Sequence, residues 1–211
     1  MKLYGLNDMV KAGCHDCQGC SACCRGMGDT VLLDPCDVYR LTKGLQKNFD
    51  ELFTNCVELH VEKGLLLPNL RMGDDDACVF LLKEGRCAIH EFRPGLCRAF
   101  PLGRSYEDGK LGYFLLEDCP MGNKTKVKVE KWLGTPEPKA YQEFLISWHY
   151  LVKDIKSRAA ALAAREDETL KEMNMLFLNT FYIRPYDPGK DFYSQFKERK
   201  EEFILLQTAG S

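Results

Sequence analysis

Residues 14–24 read Cys14-His15-Asp16-Cys17-Gln18-Gly19-Cys20-Ser21-Ala22-Cys23-Cys24. Cys14, Cys17, Cys20 and Cys23 recur at every third position, and Cys24 follows directly. Two residues between cysteines let the chain curl around one centre with its amides turned toward the sulfurs. The small Gly19, Ser21 and Ala22 permit that curl. Successive Cys-x-x-Cys spacings match the ferredoxin type of run better than the isolated pairs of a zinc ribbon. Adjacent side chains of an extended chain point in opposite directions. The Cys23-Cys24 pair is therefore expected to serve two sites, or two atoms of one centre. A disulfide between neighbours would be strained.

Outward from this run, the chain has 211 residues and 11 cysteines, all between Cys14 and Cys119. An odd number grouped in this way fits soft-metal ligation in a reducing compartment better than complete disulfide pairing. The distant ligand candidates are Cys78, Cys87, Cys97 and Cys119. Cys78 and Cys87 are placed at the outer ends of a predicted hairpin, Cys97 follows the turn Pro94-Gly95-Leu96, and Cys119 precedes Pro120. Cys36 and Cys56 fall on predicted helices, where packing in the core explains them. His15 lies within the run, but thiols there already supply enough donors. His90 reads as a residue at the end of the hairpin. Arg25, Arg93 and Arg98 stand beside cysteines and are candidates to offset the negative charge of a thiolate-bound centre.

Asp34-Pro35 signals a helix start, with Asp34 as N-cap and Pro35 in the first turn. Val38, Leu41 and Leu45 then share one face. A second helix is predicted from Phe49 to Val61, with Leu52, Phe53, Cys56 and Leu59 inward. Ala77–Leu82 and Cys87–His90 read as strands joined through Lys83-Glu84-Gly85-Arg86. A second hairpin from Gly103 to Leu116 turns at Glu107-Asp108-Gly109-Lys110. Lys124, Lys126, Lys128 and Lys131 alternate with valines as a strand with one solvated face. Thr135-Pro136 opens a long helix carrying Phe144, Leu145, Trp148, Leu151, Val152 and Ile155. Further helices are predicted from Glu168 to Tyr182 and from Lys190 to Gln207, with Pro185 and Pro188 between them. The aromatic residues of these last helices are assigned to packing against the cysteine-bearing region. The expected fold is α+β: a small cysteine-rich metal-binding core with short β-hairpins, packed with several helices. The expected domains are 1–123, binding metal, and 124–211, a helical C-terminal extension.

The motifs Cys17-Gln18-Gly19-Cys20-Ser21-Ala22-Cys23-Cys24-Arg25, Cys78-Val79-Phe80-Leu81, Cys87-Ala88-Ile89-His90, Arg93-Pro94-Gly95-Leu96-Cys97-Arg98-Ala99-Phe100-Pro101 and Cys119-Pro120 resemble the YkgJ-like cysteine-cluster family, the CxxCxxCC zinc- or iron-chelating domains. Pro35-Cys36-Asp37 looks like the proline-acidic helix start that follows the family's first motif. The resemblance covers residues 17 to about 122. It implies Cys17, Cys20, Cys23, Cys24, Cys78, Cys87, Cys97 and Cys119 as ligands. Cys14, Cys36 and Cys56 depart from the pattern, although Cys14 extends the run in register and could replace Cys17. The flagellin lysine N-methylase has a domain of this kind within a longer chain, so the resemblance permits methyl transfer without implying it.

The net charge is −2 and the pI about 6.1, so no overall basic field points to nucleic acid. No apolar run approaches the roughly 20 residues of a membrane helix, and the N-terminus lacks the apolar core of a secretion signal. The expected location is the cytoplasm. No glycine-rich phosphate loop, HExxH or Gly-x-Ser-x-Gly motif occurs, and the spacing differs from the radical-SAM run. Thiolates select zinc, copper(I) or iron–sulfur clusters. The run favours one or two iron–sulfur clusters, of the 4Fe-4S kind, over zinc. The leading reading is an iron–sulfur protein with a redox or cluster-dependent catalytic role. Its expected partner is a redox protein or a protein substrate, not nucleic acid or a membrane. The alternative is a zinc-stabilised protein-interaction module.

Overall fold

The computed structural model describes residues 1–13, 20–117, 119–120, 122–165 and 168–209. Cys14, His15 and Cys17 lie outside the described residues. Among these residues the fold is α+β, with seven α-helices and three two-stranded antiparallel sheets. Contacts divide the chain into two compact units, Met1–Val31 with Arg71–His149 and Leu32–Leu70 with Tyr150–Ser211.

In the first unit, β1 (Met9–Gly13) pairs with β6 (Thr125–Lys128), with Val10 opposite Val127. Val10 and Ala12 are buried on one face, the half-buried alternation expected of a sheet with one wet side. The register shifts between Lys11 and Gly13. A Cβ at Gly13 would collide with the Thr125 side chain, so glycine permits the close approach just before the cysteine run. The hairpin of β4 (Leu102–Glu107) and β5 (Lys110–Leu115) closes on the Glu107–Lys110 pair, as expected. Asp108 and Gly109 are both left-handed, with φ of 47° and 74°, the requirement of a two-residue hairpin turn that matches strand twist.

Two short helices follow from local signals. The first, α3, spans Gly95–Ala99, and α4 spans Val129–Leu133 and stops at Gly134 with φ 55°. The Trp132 indole Nε1 donates to the Ala99 carbonyl at 3.0 Å, tying the two helices. The long helix α5 (Pro138–Ala163) begins two residues beyond the expected Thr135-Pro136 start, because Glu137 is left-handed with φ 50°. Its residues up to His149 belong to the first unit, with Tyr141, Phe144 and Leu145 buried.

The second unit starts at α1 (Pro35–Leu45), where the cap is complete. The Asp34 carboxylate accepts from Asp37 N at 2.8 Å, and the Asp37 carboxylate accepts from Asp34 N at 3.2 Å. This reciprocal box satisfies two amides that the first turn leaves open. Asp34→Ala is expected to lower stability by about 1 kcal/mol, read as roughly 2–4 °C in thermal unfolding followed by circular dichroism.

The helix predicted from Phe49 to Val61 is shorter. The helix α2 spans Phe49–Asn55 and gives way to β2 (Val57–Glu62), which pairs with β3 (Leu65–Leu70). The cause is the Lys63-Gly64 turn, with φ of 52° and 81°, which lets residues 57–62 fold back on 65–70. Leu59 is therefore a strand residue opposite Pro68, and Phe53 is exposed rather than inward. Cys36 and Cys56 are buried core residues of this unit, as expected.

The α6 helix (Thr169–Leu178) runs into a single π-helical turn, Asn179–Ile183, and α7 spans Phe192–Ala209. Phe177, Phe181 and Phe203 are fully buried and pack on one another with centroids 5.2–6.1 Å apart. Tyr182 and Phe192 extend this cluster to Phe49 and Tyr39, and the Tyr182 hydroxyl donates to the Leu33 carbonyl at 3.0 Å. The end of the π turn is held by Arg199. Its Nη1 donates to the carbonyls of Thr180 and Arg184 at 3.0 and 2.7 Å, its Nη2 donates to that of Pro185 at 2.7 Å, and its guanidinium lies 3.7 Å from the Tyr186 ring centroid. Among the described residues, no helix is long and apolar enough to cross a membrane.

Candidate metal centre

The first unit gathers cysteines through backbone pairing. Cys78 N donates to Cys24 O at 2.7 Å, Gly26 N donates to Asp76 O at 2.9 Å, and Arg25 bridges Ala77 in antiparallel fashion. The end of the N-terminal run is thus laid against the start of the Cys78 segment.

The segment expected as a two-stranded hairpin makes isolated bridges instead, Met72 with Cys78 and Leu81 with Cys87. Its turn is present, with Gly85 N donating to Leu82 O at 2.9 Å and Gly85 left-handed at φ 76°. The ladder is absent because the chain after each cysteine curls. Leu81 N donates to Cys78 O at 2.8 Å, and His90 N to Cys87 O at 3.3 Å. The intervening amides of Phe80 and Ile89 bond the sulfurs of Cys78 and Cys87. The two turns are alike: a cysteine, an amide two residues on that donates to its sulfur, and an amide three residues on that donates to its carbonyl. N–H donors aimed at sulfur favour the thiolate over the thiol.

The adjacent pair also differs from expectation. Ala22–Cys24 is one 3₁₀ turn, not extended chain, so the alternation of extended backbone does not apply. The Cys23 and Cys24 thiols share a hydrogen bond and therefore face the same site.

Charge couples Cys23, Cys24, Cys78 and Cys87. The hydrogen bond from Cys24 lowers the Cys23 thiol to about 7, helped by its own backbone amide and by the Arg93 guanidinium against the opposing effect of burial. Cys24 is pushed far upward, first as the partner that keeps the shared proton, then by burial and by the neighbouring Cys23, Cys87 and Cys78. Burial raises Cys78 and Cys87. Cys20 and Cys97 are half-buried and Cys119 is buried, all in the same unit. Cys97 sits on α3, and the Cys119 carbonyl accepts from Lys124 Nζ at 3.1 Å. None of the nine described cysteines is in a disulfide. Among the described residues, no three Cys, His, Asp or Glu side chains already stand at the mutual distances of a bound metal ion.

The three arginines have different surroundings. Arg25 is half exposed and lies 3.8 Å from the Asp75 carboxylate. Arg98 donates to the carbonyls of Glu91 and Gly134 at 2.7 and 3.3 Å. Arg93 contacts the His90 ring and donates to the His90 carbonyl at 3.2 Å, and its charge reaches Cys23 and Cys87. The sequence did not reveal the Phe80 and Ile89 amides or the Arg93–His90 contact. The equal lengths of Cys78-Val79-Phe80-Leu81 and Cys87-Ala88-Ile89-His90 were the available sign of the paired turns.

The donor set fits a soft metal: thiols alone, two of them held by backbone N–H, one easily ionised, with a cation beside them. An α+β frame carrying such a set defines a cysteine-rich chelating domain. The family model "CxxCxxCC: Putative zinc- or iron-chelating domain" matches residues 16–120. The chain belongs to this family. Neither a curated protein nor a solved structure matches it.

Proposed function

We propose that this chain is a cytoplasmic iron–sulfur protein with a redox or cluster-dependent catalytic role, acting on a redox protein or a protein substrate. The observation that carries the proposal is the pair of matching turns that present the sulfurs of Cys78 and Cys87 to backbone amides, in electrostatic contact with Cys23 and Cys24. Hydrogen bonds to sulfur are a main lever on cluster potential, and the repeated Cys-x-x-Cys spacing suits a cluster better than a lone zinc ion. Cys23, Cys24, Cys78 and Cys87 would hold one centre. Cys20, Cys97 and Cys119, with Cys17 of the run, supply thiols for a second. A bound cluster would supply one-electron exchange. The chain's part is to hold ionised sulfurs: Cys23 gives up its proton first, while Cys24 keeps the shared proton until a metal displaces it.

Purification of the full chain without oxygen tests this. The expected product is brown, absorbs near roughly 400 nm as thiolate-to-iron charge transfer does, and contains matched iron and inorganic sulfide. A colourless chain with stoichiometric zinc and no sulfide would establish the zinc-stabilised interaction module instead.

A further inference from the structure

We draw no further inference here: the strongest candidate, the open cavity of about 530 Å³ that Leu162, Met173, Leu176 and Leu206 line between α5, α6 and α7, carries nothing, because its Arg158 and Arg165 share the lining with Glu172 and nothing in the structure shows what covers it.

Discussion

Cys78→Ser and Cys87→Ser are each expected to reduce the metal retained per chain by at least tenfold, measured by elemental analysis after gel filtration without oxygen. The expectation follows from how little else organises this stretch. Between Arg71 and Phe92 the described structure consists of isolated bridges, tight turns and one short 3₁₀ turn, with no strand ladder and no α-helix. Metal binding to such a segment is coupled to its ordering, and structural zinc sites bind with apparent free energies of about 10–16 kcal/mol. On the proposed four-thiol centre, one ligand's share of such an energy exceeds the roughly 1.4 kcal/mol that corresponds to tenfold. Serine supplies a hard oxygen where the Phe80 or Ile89 amide faces a sulfur, and it binds soft metals poorly. Cys36→Ser, in the core of the other unit, should retain full metal. Undiminished metal in both Cys78→Ser and Cys87→Ser would remove these thiols from the centre.

The second large effect concerns stability alone. Arg199→Leu is expected to destabilise the chain by about 3–5 kcal/mol. Three carbonyls, those of Thr180, Arg184 and Pro185, depend on this guanidinium, and hydrogen bonds to a charged group contribute about 1.5–3 kcal/mol each, less what water recovers. The stacking over Tyr186 at 3.7 Å adds about 1 kcal/mol. In a chain of this size the loss corresponds to roughly 10 °C in thermal unfolding. Arg199→Lys should recover less than half, because an ammonium cannot reproduce the planar fork. Melting of Arg199→Leu within about 2 °C of wild type would show that the π turn is held by its aromatic residues instead.

Signals that act within a few residues were legible in the sequence. Asp34-Pro35 marks the start of α1 because the cap is made by the side chain itself. Asp108-Gly109 marks a hairpin because both positions need left-handed backbone. The approach of Cys78 and Cys87 was also foreseeable, since a glycine turn lies between them. Reading residues 57–61 as helix failed for a definite reason. Leu52, Cys56 and Leu59 fall at helical intervals, yet Val57-Glu58-Leu59-His60-Val61-Glu62 also alternates, and the Lys63-Gly64 turn decides for the strand. The facing of Cys23 and Cys24 could not be read from spacing, because it depends on whether the backbone is extended or 3₁₀. The roles of Phe80 and Ile89 lie in their amides, which every residue but proline shares, so no side-chain pattern announces them. Arg199 reads as one more charge on a helix until Thr180, Arg184 and Pro185 are brought to it by folding.

The pairing of β1 with β6 joins residues 112 positions apart at Gly13 and Thr125. Closing a flexible ring of that length costs on the order of 4 kcal/mol in entropy. Valine and alanine packing along these two strands offsets that cost, so the segment that leads into the cysteine run and the segment that follows Cys119 are held side by side by strand pairing. Both ends of the cysteine-bearing stretch are thereby anchored to one small sheet, and a substitution that breaks the Gly13–Thr125 approach would loosen the two ends together.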